Sequence, residues 1–377
     1  MKILFVTSYA ELMGANRSML GLIKHLKNKG IDPVVLLPFK GRIISYLEEL
    51  QVEYYVKNYK TFKAPLTGWR SKCRLFIAII YNLLYSLPLL YIHFRNYKIS
   101  IVHSNTSVCD IGLYLAAILG CKHIWHLREF GYDDYRLTCP YKKYESYVYN
   151  RKGTAFIAIS QAIKDFYLHI ITQNPIYKIY NGVELPNIPD ISVHNNRKLA
   201  FCCMGAVSYS KNQMQIIEAA NILLNKFFIR DFIVTIVGNE KNEYGDCLKQ
   251  KIAEYRLEDY VVFTGFCENI GAIYRQMDVG ILPSISEAFG RVTIEYMLHN
   301  LLVIASNRGA NIELIEHGKT GLLYDIDCTD SLAELMLWCV QNKQTVLKIA
   351  EQGKNMAEKC YTAEINADNI MKIYTAM

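Results

Sequence analysis

Two glutamates stand eight positions apart in the stretch SEAFGRVTIEYM, residues 286–297. Glu287 comes just before a predicted helix start near Gly290, and Glu295 lies two turns inside that helix. At the usual helical rise the two carboxylates are roughly 12 Å apart along the axis. Carboxylates accept hydrogen bonds from sugar hydroxyls, and the unpaired N–H groups of a helix start bind phosphate. The spacing therefore fits a nucleotide-sugar, with the diphosphate between a hexose and a ribose.

The same two glutamates also fit an ordinary charged helix face that binds nothing. Gly290 favours the ligand interpretation, because a residue without a side chain lets a phosphate approach the first N–H groups closely. The two carboxylates alone leave both interpretations open.

Short apolar runs alternate with helical patterns along the chain, which predicts parallel strands joined by right-handed crossovers. The alternation stops in NGVELPNIPDISVHNN and then restarts. We therefore expect an α/β fold of two doubly wound, Rossmann-like parallel-sheet domains that face each other across a cleft, with ligands at the carboxyl ends of the strands. The predicted strands are KILFVT, DPVVLL, ISIVHS, KHIWHL and TAFIAIS before the interruption, and LAFCCMG, FIVTIVG, YVVFTG, VGILPS, LLVIAS and GLLYD after it.

The length of 377 residues suits two domains. We predict an N-terminal, acceptor-side domain over 1–185, a linker over 186–198 and a donor domain over 199–358. The remaining segment, 359–377, contains a helical pattern over 363–374 and is expected to pack back toward the N-terminal domain.

Composition describes an ordered globular protein, with 51% hydrophobic and 20% charged residues. Eleven cysteines without a CxxC pair indicate a reduced compartment rather than a disulfide framework. The first residues, KILFVT, form a predicted strand and not a cleavable signal. These features predict a cytoplasmic protein.

The net charge of +7 is uneven, because residues 1–190 carry +11 and residues 191–377 carry −4. A basic N-terminal half suits an anionic membrane surface or an acidic ligand, although a chance excess of lysine on a solvated surface gives the same balance. No nucleic-acid partner is expected, because no recognised binding motif accompanies the charge.

The segment Leu75–Phe94 is twenty residues long and contains no Asp, Glu, Lys or Arg. A membrane span is disfavoured, because the chain on both sides of it is needed for one sheet. Two interpretations remain, a buried or half-buried domain helix and an in-plane contact with the inner face of the cell membrane. Five cations flank the segment and suit the second: Arg70, Lys72, Arg74, Arg95 and Lys98.

The motif PSISEAFGRVTIEYM resembles the E-x7-E signature of retaining glycosyltransferases of family 4, the group 1 glycosyl transferases with the GT-B fold. The resemblance covers nearly the whole chain and is strongest over 199–325. GAVSYSKNQMQIIEAA is similar to the phosphate loop of that family, VVFTGFCENIGAIYRQMDVGILPS to its nucleotide-base segment, and NRGANIELIEHGKTGLLYD to the segment after the second glutamate. IVHSN, WHLREF, AISQAI and YNGVEL occupy comparable places in the first half.

The resemblance implies a role for each matching residue. Glu295 would bind the ribose diol, Glu287 would contact hydroxyls of the donor sugar, and Lys211 would stabilise the charge that grows on the diphosphate. His126 would lie near the donor sugar and the acceptor. The remaining donor-site residues are the helix start Phe289, Gly290, Arg291 and Val292, the base contact Phe266, and the closing loop with Gly14 and Ala15.

Each of these residues also has an ordinary structural interpretation. Lys211 could be a surface lysine, Phe266 a core residue and His126 a satisfied strand-end histidine. His123 and His126 point to opposite faces of a strand, which disfavours a metal pair. The acidic pairs Asp325/Asp327 and Asp133/Asp134 are expected in loops, so neither a metal nor another cofactor is expected.

Several positions depart from the family pattern. Ala206 stands where the family usually has an arginine after the glycine of the phosphate loop, and Arg291 is the nearest candidate to replace it. His299, Asn300 and Leu302 replace the usual small residue, glycine and proline after the helix, which leaves the C-cap to Asn300.

The resemblance implies a metal-independent retaining hexosyltransferase. Its donor would be a nucleoside-diphosphate sugar, UDP-sugar rather than GDP-sugar, and its acceptor a lipid-linked or saccharide molecule of the cell envelope. One alternative is a non-catalytic sugar-nucleotide-binding partner of a transferase complex. A dinucleotide-dependent oxidoreductase is disfavoured, because no G-x-G-x-x-G follows the first strand.

Overall fold

The computed structural model describes residues 1–65, 68–132, 136–186, 198–267 and 269–377. The chain forms two compact units. The first contains Met1–Glu184 together with Ala363–Met377, and the second contains Leu185–Thr362. The chain therefore leaves the first unit, completes the second and returns. Most of the predicted linker, and the pair Asp133/Asp134, lie outside the described residues.

The first unit is built on a parallel sheet of seven strands in the order β3-β2-β1-β5-β6-β8-β9. Its central strands are buried except at the first residues of β1 and β6, as expected for a sheet covered on both faces. A separate antiparallel pair, β4 with β7, lies outside this sheet. The strands are β1 Lys2–Val6, β2 Asp32–Leu37, β3 Glu53–Val56, β4 Ala64–Pro65, β5 Ile101–Ser104, β6 Lys122–Leu127, β7 Leu137–Thr138, β8 Thr154–Ala158 and β9 Ile176–Lys178.

Helices cover both faces of this sheet. The helix Ala363–Ala376 packs against the helix Gly14–Asn28 and contributes Ala367, Ile370 and Tyr374 to the core of the first unit. The other described helices of this unit are Ile43–Glu49, Trp69–Tyr81, Leu87–Phe94, Ile111–Leu119, Lys142–Tyr149 and Gln161–Leu168.

The second unit contains a parallel sheet of six strands in the order β12-β11-β10-β13-β14-β15. The strands are β10 Leu199–Met204, β11 Phe232–Val237, β12 Val261–Gly265, β13 Val279–Leu282, β14 Leu302–Ser306 and β15 Leu322–Tyr324. The described α-helices are Gln213–Asn221, Glu243–Glu254, Ile270–Tyr274, Arg291–Leu298, Asn311–Leu314, Thr329–Gln341 and Lys343–Cys360. Because Lys343–Cys360 packs on Arg291–Leu298 and on β14, this unit extends to Thr362 rather than to residue 358.

A continuous helical run spans Trp69–Phe94, with a π-helical turn at Asn82–Ser86 between its two α-helical parts. By length and composition it is the one helix among the described residues that could cross a membrane, and 28% of its most apolar window is buried. One stripe packs in the core with β5, through Leu87, Leu90 and Phe94. The opposite stripe is exposed, so the segment is half-buried in this unit, which fits both interpretations of it.

Candidate functional site

Two loops come together at the carboxyl ends of β10 and β13, which are neighbours at the centre of the second sheet. The strand order reverses between them, and such reversals form the crevice in which α/β sheets bind ligands. The loop after β10 ends in a 3₁₀ turn, Tyr209–Lys211, and the loop after β13 contains Glu287. The N–H of Ile285 donates to the carbonyl of Ser210 at 3.0 Å. A backbone hydrogen bond therefore connects the two predicted loops directly.

The carboxylate of Glu287 is held between a lysine and a helix start. Its Oε2 lies 2.7 Å from Nζ of Lys211, and its Oε1 accepts from the N–H of Gly290 at 3.0 Å. Gly290 adopts a left-handed conformation, φ +81°, immediately before the helix Arg291–Leu298. Lys211 therefore contacts the predicted sugar-binding carboxylate directly.

Gly309, which was not predicted, lies directly against the backbone of Glu287. The carbonyl of Glu287 accepts from the N–H of Ala310 at 2.8 Å. A Cβ atom on Gly309 would lie 2.2 Å from that carbonyl oxygen, and Gly309 has φ +56°. Only glycine fits this close backbone approach. The available signal was the glycine of NRGAN after β14.

Glu295 is buried two turns along the helix, and two side chains hold its carboxylate. Nε of Arg291 lies 2.9 Å from Oε1, and the hydroxyl of Tyr274 donates to Oε2 at 3.1 Å. Burial, and then the charge of Glu295, raise the pKa of Tyr274 well above its usual value. A carboxylate has about four acceptor positions, so two remain for further donors. Arg291 therefore orients Glu295 through its Nε, and its role in place of an arginine at position 206 stays a prediction.

The unusual residues after this helix satisfy its last turn. Nδ1 of His299 lies 2.7 Å from the carbonyl of Glu295 and must donate to it, since a carbonyl only accepts. Asn300 takes the left-handed conformation, φ +59°, which ends the helix in the way that glycine usually does.

The other predicted donor-site residues of this unit differ in exposure. Phe289 is buried against Tyr361, whereas Val292 is partly exposed on the first turn of the helix. Phe266 follows the left-handed Gly265 at the end of β12, and its side chain is 61% exposed. Phe266 is therefore not a core residue, and its ring is accessible to a planar ligand. Ala206 is also exposed.

Gly14, Ala15 and His126 belong to the first unit. Gly14 and Ala15 form the first turn of the helix Gly14–Asn28, and the loop after β1 ends before them. The structure thus places these two residues at the start of a helix, and their role toward the phosphates stays a prediction. The cause of this helix start is Asn16, whose buried side-chain amide donates to the carbonyls of Tyr9 and Glu11 at 3.0 and 2.8 Å and thereby turns the chain into the helix.

His126 is fully buried on β6. Its Nδ1 lies 3.1 Å from Nε2 of His103 and 3.2 Å from Nη2 of Arg128. Burial lowers the pKa of His126 well below its usual value, and the charge of Arg128 lowers it further. His123 contacts Ser104 instead, through its Nε2 at 2.9 Å, so the two histidines of KHIWHL have separate surroundings.

The acidic pair Asp325/Asp327 lies directly after β15 and is engaged locally. Oδ1 of Asp325 accepts from Nδ2 of Asn307 at 3.3 Å, and Oδ2 of Asp327 lies 2.6 Å from Nη2 of Arg308. Within the described residues, no three His, Cys, Asp or Glu side chains are grouped so that they could hold a metal ion.

Comparisons with known proteins cover nearly the whole chain. Residues 186–356 match the model described as glycosyl transferases group 1, and residues 13–186 match that of glycosyltransferase family 4. A relative in Escherichia coli is named UDP-Gal:alpha-D-GlcNAc-diphosphoundecaprenol alpha-1,3-galactosyltransferase. It is 24% identical over 98% of this chain and 94% of its own length.

Two solved structures share the fold over the full chain. Anabaena Alr3699/HepE in complex with UDP and glucose has a TM-score of 0.81 at 20% identity, with 100% of both chains covered. A glycosyltransferase from Rickettsia africae has a TM-score of 0.79 at 21% identity and covers 100% of this chain and 98% of its own. The expected fold class, GT-B with two Rossmann-like parallel-sheet domains, is confirmed. Since the two family models together match residues 13–356, the chain belongs to the group 1, family 4 glycosyltransferases.

Proposed function

We propose that this protein transfers a hexose from a UDP-sugar to a cell-envelope acceptor, with retention of the anomeric configuration and without a metal ion. The observation that carries the proposal is the contact of Lys211 with Glu287, 2.7 Å between Nζ and Oε2, at the start of the helix that also holds Glu295. This arrangement supplies positive charge at one point and two separated carboxylates around it.

The positive charge has a defined chemical task in this proposal. When the bond between the sugar and the diphosphate breaks, negative charge grows on the leaving phosphate oxygen. Lys211 and the N–H groups at the start of Arg291–Leu298 would stabilise that charge, which is the task of a divalent cation in metal-dependent transferases. Arg291 is engaged with Glu295, so Lys211 is the side chain that we assign to the phosphates.

Retention is proposed from the same contacts. Both oxygens of Glu287 already interact, one with Lys211 and one with the N–H of Gly290, which lowers the tendency of this carboxylate to form a bond to carbon. The acceptor hydroxyl would then attack from the face that the diphosphate leaves, and its proton would pass to a phosphate oxygen. No side-chain nucleophile is needed in this reaction.

The donor base is tested by thermal stability with UDP, GDP and ADP. We expect UDP to raise the stability of the wild type, by about 2.7 kcal/mol at a hundredfold excess over Kd. Replacing Glu295 by alanine should remove most of the effect, because the two remaining acceptor positions of its carboxylate are assigned to the ribose hydroxyls.

The matched control is Glu254→Ala, which removes an exposed glutamate from the same unit and should leave the UDP effect unchanged. If no nucleotide stabilises the wild type, the donor-site proposal is wrong. If GDP or ADP stabilises it instead of UDP, the site stands and the assignment of the base is wrong.

The proposed acceptor is lipid-linked or a growing saccharide at a membrane, in line with the diphosphoundecaprenol named in the Escherichia coli relative. The first unit offers a surface for peripheral binding to an anionic membrane from the cytoplasmic side. The helical run Trp69–Phe94 exposes apolar and aromatic side chains along one stripe, including Ile77 at 64% and Leu84 at 76%. The run cannot cross a bilayer in this fold, since β1 before it pairs directly with β5 after it.

The charge around this stripe supports a membrane as its proposed occupant. From position 54 to position 109 the chain contains no Asp or Glu, while it contains eight Lys and Arg. Cations lie near both ends of the helical run, where they would reach anionic headgroups as the apolar stripe enters the interface. Trp69 and Tyr91 add aromatic rings of the kind enriched at this depth.

Vesicle sedimentation tests this surface. We expect the protein to bind vesicles of phosphatidylglycerol and phosphatidylethanolamine but not neutral phosphatidylcholine vesicles, and high salt should weaken the binding. The double variant Ile77→Ser/Leu84→Ser should lose at least ten times in vesicle affinity. The control Phe228→Ser removes an aromatic side chain that is 77% exposed in the second unit and should bind as the wild type does. If the double variant and the control bind vesicles with equal affinity, the exposed stripe is not the membrane-binding surface.

A further inference from the structure

His126 is one member of a buried chain of polar side chains in the first unit. The hydroxyl of Tyr374 lies 2.6 Å from Nδ1 of His103, whose Nε2 lies 3.1 Å from Nδ1 of His126. Nη2 of Arg128 lies 3.2 Å from the same Nδ1. These side chains come from β5, from β6 and its end, and from the helix Ala363–Ala376, and all four are buried. The ring of His103 alone therefore lies between Tyr374, on the helix Ala363–Ala376, and the predicted site residue His126.

The chemistry of arginine fixes the direction of every hydrogen bond in this chain. A guanidinium only donates, so Nδ1 of His126 must accept from Arg128 and cannot carry a proton. Because that Nδ1 carries no proton, its contact with His103 is a hydrogen bond only if Nε2 of His103 donates, and the two donors then share the single lone pair of Nδ1. In a neutral ring this leaves Nδ1 of His103 as an acceptor, and the hydroxyl of Tyr374 donates to it. The tautomers of His126 and His103 therefore both follow from Arg128, which can only donate.

Arg128 is itself held in place by two amide oxygens. Its Nε donates to Oδ1 of Asn105 at 2.7 Å, and its Nη1 donates to Oδ1 of Asn181 at 2.5 Å. Asn105 also donates to the carbonyl of Ala15 at 3.3 Å, which connects the cluster to the first turn of the helix Gly14–Asn28. The guanidinium therefore has a fixed position beside the His126 ring.

The remaining ring nitrogen of His126 has no acceptor. With Nδ1 unprotonated, a neutral His126 carries its proton on Nε2, and none of the described residues accepts a hydrogen bond from that atom. A buried N–H without an acceptor is costly and is rare in proteins. This donor is therefore suited to receive an acceptor atom from a ligand.

We propose that Arg128, His103 and Tyr374 are positioning residues that fix His126 as a neutral Nε2–H donor toward an oxygen atom of the substrate. In this arrangement His126 donates a hydrogen bond and takes no proton from the acceptor hydroxyl. Among the described residues, the titratable and charged groups that face its ring are His103 and Arg128, and both oppose protonation of the ring. The inference rests on the proposed transferase function for the identity of the ligand, but not for the tautomers.

Nitrogen-15 NMR of histidine-labelled protein tests the tautomers without any substrate. The shift of each ring nitrogen shows whether it is protonated. We expect His126 to have a protonated Nε2 and an unprotonated Nδ1 between about pH 6 and pH 9. Replacing Arg128 by glutamine should produce a mixture of tautomers at His126, because an amide can donate or accept. A protonated Nδ1 in the wild type would overturn the proposal.

Two substitutions at His126 then separate a donor from a base. Glutamine presents an N–H near the position of Nε2, whereas glutamate is an acceptor and a base. We expect His126→Gln to keep kcat/KM within about tenfold of the wild type and His126→Glu to lose at least a hundredfold. The opposite order would show that His126 acts as a base and would exclude the relay.

Tyr374→Phe tests the far end of the chain. It should lower kcat/KM by about three- to tenfold and make the tautomer of His103 mixed. Tyr149→Phe is the matched control, since its buried hydroxyl donates to the carbonyl of Ser107 away from the relay. Unchanged His103 nitrogen shifts in Tyr374→Phe would contradict the relay. Stabilisation by UDP depends on Glu295 in the second unit and should persist in all these variants. If UDP does not stabilise the wild type, the proposed function fails independently of the relay.

Discussion

Replacing Lys211 by alanine is expected to lower kcat by about 100- to 1000-fold, the usual effect of removing one fixed donor to a developing negative charge. The change removes the ammonium that lies 2.7 Å from Glu287. Lys211→Arg should be intermediate, because it keeps the charge but not the compact geometry of an ammonium. The measurement is steady-state release of UDP from a UDP-sugar with an acceptor present, run with and without EDTA.

Lys226→Ala is the matched control for Lys211→Ala. Its Nζ lies 2.6 Å from Oδ1 of Asp330 in an exposed ion pair of the same unit, so a lysine and a short carboxylate contact are lost in both variants. We expect Lys226→Ala to keep the full rate. Retention of more than about a tenth of the wild-type rate by Lys211→Ala would remove Lys211 from the proposed reaction. Loss of activity in EDTA would contradict metal independence separately.

Asp110 should make the stability of the first unit depend on pH. This aspartate is buried immediately before the helix Ile111–Leu119. The hydroxyl of Tyr144 donates to Oδ2, and no described residue hydrogen-bonds to Oδ1. Burial raises the pKa of Asp110 from 3.8 to about 6, against the lowering effects of Tyr144 and Asn82. The folded protein therefore holds a proton that the unfolded chain releases at lower pH.

Because the folded pKa is the higher one, this contribution to stability is complete below pH 3.8 and is lost as the pH rises through about 6. The two pKa values correspond to about 3 kcal/mol. Relative to Asp110→Asn, which cannot ionise, the wild type should thus lose about 3 kcal/mol of unfolding free energy between about pH 4 and pH 7.5. Urea denaturation at several pH values measures the difference.

A matched control for this experiment is Asp165→Asn, which removes an exposed aspartate from the same unit. It corrects for the change in net charge alone. If the difference in unfolding free energy between the wild type and Asp110→Asn stays constant with pH, Asp110 is ionised in the folded protein and the prediction is wrong.

The sequence predicted the long buried strands well, because parallel strands in the middle of a sheet are apolar throughout. LAFCCMG and FIVTIVG correspond to β10 and β11, each of which ends one residue before the predicted glycine. Strands β3 and β9 were missed: EYYV is only partly buried at the edge of the sheet, and IYK is three residues long. Edge strands lack the apolar pattern by which buried strands are recognised.

The local part of the site was more predictable than its supports. The loop, the left-handed Gly290 and the helix with Glu295 follow from one continuous motif. Tyr274, by contrast, reaches Glu295 only through the packing of two helices, and it lies 21 positions away. The partner of His103 is 271 positions distant in the chain. No periodicity or spacing in a single sequence indicates such contacts.

The exposed stripe of Trp69–Phe94 shows a further limit of sequence patterns. Twenty residues without charge have the same composition whether a helix is buried, spans a bilayer or lies on one. The choice depends on which stripe the rest of the fold covers. Leu87, Leu90 and Phe94 are covered, while Ile77 and Leu84 are not.

The return of the chain to the first unit has a consequence for synthesis on the ribosome. Ala367, Ile370 and Tyr374 belong to the core of that unit but are translated after the whole of Leu185–Thr362. At elongation rates of about 5–20 residues per second the nascent N-terminal unit precedes them by roughly ten to forty seconds. During this interval the apolar face of Gly14–Asn28 has no helix to cover it. The second unit, which is continuous in sequence, can complete its own core first, so a C-terminal truncation should aggregate through its N-terminal unit.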